Sequence, residues 1–283
     1  MCWMCDLYGE GGYWYFNPKL FARQMYTLKA PRHGSANSGQ TRPSGPRPEP
    51  PPVSQNEMRR ILSDEPEKHA EAVKLFNDDL RKGNSAVGQA ITFQEACEIA
   101  DIGAPMASMM CMCRGLHRAY DERNAEEYSC LGTGVGMFKW ERWPERYKGG
   151  VHFMPADEVK EWLKKWNKRG FMHFVMALGG GYIEGVCNCE YPACISIRNR
   201  LDMGIETFVK GHYVAGVDYD ACNGCGICVQ RCQFGAAKYE VRIDKTNIDQ
   251  MRCFGCGLCE TGCPRGAITM LDKAGMPGLK EMW

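Results

Sequence analysis

The chain has 283 residues, 17 of them cysteine, with 35 Lys and Arg against 34 Asp and Glu and a formal net charge of +1. So balanced a charge gives no electrostatic reason to expect binding to nucleic acid or to an anionic membrane surface. The length favours two domains. The cysteines indicate a reducing, cytoplasmic, oxygen-poor compartment, in which disulfides are rare.

The N-terminal part is apolar and rich in aromatic side chains, among them Trp3, Trp14 and Tyr15. It has neither the basic nor the apolar region of a secretory signal. Because exposed apolar surface is a liability in water, we expect this segment to pack on the rest of the chain or on a partner subunit. Residues 31–56 turn to Gly, Ser, Pro and Gln, which is typical of an extended linker. We therefore interpret residues 1–30 as a separable docking arm.

Residues 57–210 show helical and strand patterns in turn, which predicts an α+β, cysteine-rich domain. Thr92 and Glu95 form a capping box at the start of one helix. The patterns predict helices over 66–82, 92–100 and 155–168, and buried strands over 106–113 and 171–178. The longest apolar stretch is the last of these, and it is far shorter than the ~20 residues of a membrane span.

Eight cysteines near the C-terminus form two runs with the same spacing, C-x-x-C-x-x-C-x-x-x-C. The runs are Cys222, Cys225, Cys228 and Cys232, then Cys253, Cys256, Cys259 and Cys263. Zinc sites use pairs of cysteines instead of triplets followed by a fourth. The spacing is that of a bacterial two-cluster ferredoxin, in which three close cysteines surround one iron–sulfur cube and the fourth ligand comes from farther along the chain.

From about Gly211 to Lys273 the chain resembles the bacterial dicluster ferredoxin family. Glycines repeat with the cysteines, as Gly224 matches Gly255, and short strands are expected over 213–219 and 238–243. The resemblance implies a ferredoxin domain over 211–283 with two [4Fe–4S] clusters. Their expected ligands are Cys222, Cys225, Cys228 and Cys263 for one cluster, and Cys253, Cys256, Cys259 and Cys232 for the other.

One position departs from the family pattern. Proline usually follows the fourth cysteine of each run, and Pro264 does so, but Gln233 follows Cys232. Gln233 adds a backbone N–H and a polar side chain beside that cluster. This predicts either a shifted reduction potential or a point where a partner docks.

Further cysteines lie upstream in two C-x-C elements, Cys111-Met112-Cys113-Arg114 and Val186-Cys187-Asn188-Cys189, each expected at the end of a strand. These elements resemble those that precede the ferredoxin motif in a group of larger dicluster-ferredoxin proteins. Loops at neighbouring strand ends can meet. We therefore expect convergence of Cys111, Cys113, Cys130, Cys187, Cys189 and Cys194, four of them as ligands.

The upstream cysteines suit three interpretations. A third [4Fe–4S] cluster is the first, with Arg114 offsetting the negative charge of its thiolates. A structural Zn²⁺ held by four thiolates is the second. Buried cysteines without a metal are the third, and Cys97 is expected to be of that kind. The Cys2/Cys5 pair suits a metal or a redox dithiol, and histidines such as His212 are isolated in the sequence and are interpreted as structural.

These patterns predict the ferredoxin-like subunit of a cytoplasmic anaerobic oxidoreductase complex. It would relay single electrons between a catalytic subunit of the flavin, molybdenum/tungsten or hydrogenase type and another carrier. The expected assembly is a hetero-oligomer without membrane insertion or nucleic acid. The alternative is an iron–sulfur reductase with its own substrate site near Cys111 and Cys187.

Overall fold

The computed structural model describes residues 2–21, 60–61, 63–82, 87–111, 113–114, 128–134, 136–141, 150–178, 182–279 and 282. The linker predicted over 31–56 lies outside these residues. Among the helices of the described residues, none combines the length and the apolar character needed to cross a bilayer.

Helices and strands alternate up to the ferredoxin-like region. The α-helices are α1 (Trp3–Tyr8), α2 (Pro66–Leu80), α3 (Phe93–Ile102), α4 (Gly136–Glu141), α5 (Ala156–Lys168), α6 (Ile195–Met203), α7 (Ile227–Arg231) and α8 (Leu258–Thr261). The strands are β1 (Val87–Ile91), β2 (Met106–Met109), β3 (Cys130–Thr133), β4 (Val151–Met154), β5 (Met172–Leu178), β6 (Tyr182–Cys189), β7 (Phe208–Val209), β8 (Tyr213–Val217), β9 (Ala237–Glu240), β10 (Lys245–Ile248) and β11 (Ile268–Asp272).

A seven-stranded sheet organises the upstream part, in the order β4-β2-β3-β6-β5-β1-β7. Neighbouring strands in this sheet are antiparallel, except for β1 and β7, which are parallel. One face of the sheet packs against α3, α5 and the N-terminal segment. The opposite face packs against α6 and the ferredoxin-like region. That region contains two further two-stranded sheets, β8–β11 and β9–β10.

Several predicted elements are confirmed. The helices α2, α3 and α5 lie where the patterns place them, β5 fills the predicted strand, and Thr92 and Glu95 form both hydrogen bonds of the capping box. The strand predicted over 106–113 ends at Met109. Strand β1 escaped the sequence pattern because every one of its residues is buried, which removes the alternation of apolar and polar positions.

The N-terminal segment 2–21 is part of the main core. Cys2, Trp14 and Tyr15 are fully buried. The Trp14 indole donates to Gln89 Oε1 on β1 at 2.6 Å, and the Tyr15 hydroxyl donates to Glu95 Oε1 on α3 at 2.5 Å. Residues 2–21 thus pack on the rest of the chain, which is one of the two alternatives predicted from their composition. The interpretation of this segment as a separable arm is wrong for residues 2–21, because their buried side chains are part of the main core.

Candidate metal centres

The eight C-terminal cysteines line two cavities. Cavity 1 is lined by Cys222, Cys225, Cys228 and Cys263. Cavity 2 is lined by Cys232, Cys253, Cys256 and Cys259. Each cavity therefore combines three cysteines of one run with the fourth cysteine of the other.

Cavity 1 lies at the surface. Cys225 is exposed, whereas Cys228 is buried and its Sγ lies 3.1 Å from the Thr246 hydroxyl. The backbone N–H of Ala267 donates to Cys263 Sγ at 3.3 Å. Hydrogen bonds to cysteine sulfur stabilise the thiolate form, so this cavity suits a negatively charged metal–thiolate group.

Cavity 2 has an apolar wall that includes Phe234, Phe254 and Leu258. Burial raises the pKa of Cys256 to about 12, so without a metal this thiol stays protonated at neutral pH. The backbone N–H groups of Ala236 and Gly255 point at cysteine sulfur, at 3.3 Å from Cys232 and 3.4 Å from Cys253. Metal binding here would release protons and use these donors.

Two matching glycines shape the cysteine loops. Gly224 has φ +70° and Gly255 has φ +73°, in the left-handed region that favours glycine. A Cβ on Gly224 would lie 2.3 Å from Asp244 O, and one on Gly255 would lie 2.3 Å from Tyr213 O. Glycine is therefore required at these two positions for two reasons: the left-handed backbone conformation and the close approach of a neighbouring carbonyl.

The six upstream cysteines also converge, and we call this group the six-cysteine site: Cys111, Cys113, Cys130, Cys187, Cys189 and Cys194. Cys130 on β3 lies directly opposite Cys187 on β6, and Cys189 follows on the same face of β6. Cys111 lies two residues beyond the end of β2, and Cys194 precedes α6 as its N-cap. The sheet, rather than a local motif, assembles this site.

Four of these thiols lie close enough together, in a closed ring, to shift one another's pKa. Cys111 contacts Cys130 and Cys189, and Cys187 contacts the same two, while Cys113 joins at Cys111 and Cys194 joins at Cys189. Hydrogen bonds from Cys130 and Cys189 lower the pKa of Cys187 to about 6. Hydrogen bonding to Cys111 and Cys187 raises the pKa of Cys130. Neighbouring thiols cannot all ionise without a cation between them, so the group is chemically suited to a metal.

Arg114, predicted to offset thiolate charge, is buried next to this site. Its backbone N–H donates to Cys111 Sγ at 3.5 Å. Its guanidinium lies over the Phe171 ring, 4.8 Å from the ring centre. Arg114 therefore lies beside the site, and its predicted role in offsetting thiolate charge stays a prediction.

Aromatic side chains that the sequence analysis did not single out connect the six-cysteine site with cavity 2. Phe234 and Phe254 stack with ring centres 4.2 Å apart, and Phe208 stacks on Phe254 at 5.4 Å. These rings belong to one apolar cluster that also contains Cys189 and Cys194, with Cys187, Cys232 and Cys256 packed against it. Phe254 directly follows Cys253, and Phe234 lies two positions after Cys232, so only their closeness to cysteines in the sequence pointed to them.

Gln233 stands where the ferredoxin family usually has proline, and its side chain joins the ferredoxin-like region to the cysteine-rich region. Its Oε1 accepts from Tyr191 N at 2.8 Å, and its Nε2 donates to Gly170 O at 2.8 Å. Arg231 adds a second link, since its Nη2 donates to Asn167 O at the end of α5 at 2.8 Å. Gln233 therefore holds the ferredoxin-like region to the cysteine-rich region of the same chain, and its predicted effects on the potential or on a docking partner stay predictions.

Other predicted residues lie apart. Cys97 is half-buried on α3, where burial raises the pKa of its thiol to about 11. His173 lies on the opposite face of the sheet from the six-cysteine site, with its Nδ1 2.5 Å from Asn188 Oδ1. These two residues have structural surroundings, as expected.

Residues 221–267 match the family described as the 4Fe–4S dicluster domain. Comparison with curated proteins finds no match to the chain. The matched residues contain all eight cysteines of the two cavities and support an iron–sulfur electron-transfer role with [4Fe–4S] clusters.

Proposed function

We propose that this chain is an iron–sulfur electron-transfer protein with three redox centres, one in each ferredoxin cavity and one in the six-cysteine site. The observation that carries the proposal is the shared apolar cluster, in which cysteines of the six-cysteine site and of cavity 2 pack on the same phenylalanines. A thiolate-bound iron–sulfur cluster supplies reversible one-electron transfer.

Shared apolar clusters that link the three groups of cysteines in series support this proposal. Cys228 of cavity 1 and Cys253 of cavity 2 belong to one apolar cluster. Cys256 of cavity 2 and Cys189 of the six-cysteine site belong to another. Cavity 2 is therefore the middle group, and the packed side chains on both sides of it exclude water.

The outer end of the series is cavity 1. Cys225 is exposed, and the exposed side chains Ile227 and Arg265 also line this cavity. A redox partner would approach the series here, since the other two groups lie deeper in the protein.

Within the six-cysteine site, the ring of Cys111, Cys130, Cys187 and Cys189 supplies four thiolates, which is the number a cubane needs. Cys113 and Cys194 would support the ring from outside. Arg114, buried beside Cys111, would balance part of the thiolate charge.

The wider role we propose is that of the ferredoxin-like subunit of a cytoplasmic anaerobic oxidoreductase complex. The chain would relay electrons between a catalytic or flavin subunit and another carrier. Support comes from the exposed rim of cavity 1 and from the deep end of the series, which offers a second redox terminus. Isolation under gentle, oxygen-free conditions tests this role, because a chain that is monomeric in a native extract contradicts it.

Metal analysis of the full chain, purified without oxygen, tests the three centres. We expect about twelve irons per chain, four per cluster. The Cys187→Ser variant is expected to hold about eight, with the spectrum of the remaining clusters unchanged. Cys97→Ser, which changes a half-buried cysteine outside the site, is the matched control and keeps about twelve.

Three results would overturn the proposal in different ways. About eight irons in both the unmodified chain and Cys187→Ser removes the third centre. Zinc that is lost in Cys187→Ser makes the six-cysteine site structural. A colourless, iron-free chain after oxygen-free maturation removes the electron-transfer function itself.

A further inference from the structure

A separate group of metal-ligating side chains lies beneath the N-terminal segment: Cys2, Cys5 and His212. All three are buried, with 0%, 2% and 3% of their surface exposed. Cys2 and Cys5 belong to the first turn of the chain, whereas His212 lies between β7 and β8, where the cysteine-rich region meets the ferredoxin-like region. The group brings together the start of the described chain and the junction between the cysteine-rich and ferredoxin-like regions.

The spacing of the three ligand atoms suits one tetrahedral ion. Cys2 Sγ and Cys5 Sγ are 3.5 Å apart, and Cys5 Sγ is 3.3 Å from His212 Nε2. The three ligand atoms all lie within 4.8 Å of one another. Zinc–sulfur bonds of ~2.3 Å and zinc–nitrogen bonds of ~2.0 Å, at tetrahedral angles, separate two sulfurs by about 3.8 Å and sulfur from nitrogen by about 3.5 Å.

Hydrogen bonds behind the histidine fix its tautomer. The Tyr15 hydroxyl donates its one proton to Glu95 Oε1 at 2.5 Å, and the other oxygen of that carboxylate accepts from the Thr92 backbone N–H. Tyr15 must then accept from His212 Nδ1, 2.7 Å away. His212 Nε2 consequently carries a lone pair and faces Cys5, as a metal ligand requires.

Packing fixes the ring as well. The Tyr13 ring stacks on the His212 ring with centres 3.8 Å apart and planes 10° from parallel. On the other side of the group, Gln89 Oε1 lies 3.7 Å from Cys2 Sγ and accepts from Trp14 Nε1. An amide carbonyl has a second lone pair, so Gln89 Oε1 is placed to provide a fourth ligand.

We propose that Cys2, Cys5 and His212 bind one structural Zn²⁺, with Gln89 Oε1 at the fourth position. Two thiolates balance the charge of the ion, which a buried site requires. The bound ion would fasten the N-terminal segment to residue 212 and so stabilise the contact between the two regions. This site is independent of the three redox centres proposed above.

X-ray absorption at the zinc edge tests the ligand set on the unmodified full chain, purified without oxygen. We expect one zinc per chain, with two sulfur ligands and two nitrogen or oxygen ligands. A zinc with four sulfur ligands would place the ion in the six-cysteine site and overturn the proposal. So would a chain that takes up no zinc from buffered Zn²⁺, or one whose Cys2 and Cys5 form a disulfide under these conditions. This measurement needs no variant and does not depend on whether a variant folds.

Variants then locate the ion. Cys5→Ser and His212→Ala are expected to reduce the zinc content at least tenfold and leave the iron content unchanged. Cys187→Ser and Cys97→Ser are the matched cysteine controls and keep the zinc. Retention of zinc in both Cys5→Ser and His212→Ala would refute the assignment.

Tyr15→Phe tests the positioning role of the hydroxyl behind His212. It removes one oxygen and leaves the ring, and loss of such a partner typically weakens metal affinity 10–100-fold. We expect competition with a chromophoric chelator to show a loss in this range, with the same ligand set at saturating zinc. Unchanged zinc affinity would mean that Tyr15 only packs against the histidine.

Discussion

The ferredoxin cavities and the six-cysteine site each bring several thiols together, but by different means. Each cavity takes three ligands from a single short loop and one from its partner loop. The six-cysteine site draws on β3, β6 and the ends of β2 and α6, which meet only because the sheet pairs them. A local motif makes the first kind of site visible in the sequence, whereas the second kind depends on strand register.

The hydrogen-bond partners of the cysteine sulfur atoms also differ between the two kinds of site. In the cavities, backbone N–H groups donate to Cys232, Cys253 and Cys263. In the six-cysteine site, the thiols of Cys111, Cys130, Cys187 and Cys189 contact each other. The loops thus present hydrogen-bond donors to cysteine sulfur in advance, while the thiols of the sheet-built group would need a cation between them to ionise together.

The largest expected effect separates a cysteine that serves as a cluster ligand from one that stands outside the ring of four. Cavity 2 has four cysteines for the four ligand positions of a cubane, so Cys256→Ser is expected to remove about four irons. Cys194 stands outside the ring of four in the six-cysteine site, so Cys194→Ser is expected to leave the iron content unchanged. Iron per chain after oxygen-free purification measures both.

The predictions for Cys256→Ser and Cys194→Ser can be contradicted independently of each other. Full iron in Cys256→Ser would mean that cavity 2 does not hold a cubane. Loss of iron in Cys194→Ser would make Cys194 a ligand and change the ring assignment, while the comparison between loop-built and sheet-built sites would stand.

The second prediction concerns the backbone of the cysteine loops in the ferredoxin cavities. Gly255→Ala adds a Cβ 2.3 Å from Tyr213 O, a backbone atom of β8 that cannot turn aside, and it is expected to destabilise the protein by about 3 kcal/mol or more. Gly235 has a similar φ of +64° but no atom within 4 Å of its Cβ position, so Gly235→Ala is expected to cost about 1 kcal/mol. Melting temperatures of the oxygen-free proteins compare the two, and equal shifts would show that the close approach is unimportant.

The smallest expected effect lies at the junction between the regions. Gln233→Ala removes the partners of Tyr191 N and Gly170 O, at a cost of about 1–2 kcal/mol. Gln230 is exposed on the neighbouring helix α7, and Gln230→Ala, the control, is expected to stay within about 0.5 kcal/mol of the unmodified chain. A Gln233→Ala protein that melts with the unmodified chain would show that these bonds do not hold the regions together.

Short-range signals predicted the elements that depend on them. The capping box at Thr92 marked the start of α3, and the apolar periodicity of α5 gave its bounds within one residue. The ferredoxin spacing pointed to the grouping of eight cysteines because each loop carries its own ligands. In all these cases the information lies within a few residues of chain.

Contacts between residues far apart in the chain could not be predicted from the sequence, and the reason is physical. His212 looked isolated because its nearest cysteine in space, Cys5, is 207 positions away along the chain. The pairing of Cys130 with Cys187 depends on which strands become neighbours in the sheet, and no local pattern specifies that. The aromatic residues near the N-terminus correctly predicted that this segment is buried. Their presence did not identify the residues against which the segment packs.

The register of β3 against β6 has a consequence for how this protein can vary. Side chains alternate between the faces of a strand, so a single-residue insertion within β6 would turn Cys187 and Cys189 toward the face that holds His173. Both thiols would be lost from the site at once, even though no cysteine had been replaced. In related chains that retain this centre, we therefore expect the length of β6 to be conserved as strictly as its cysteines.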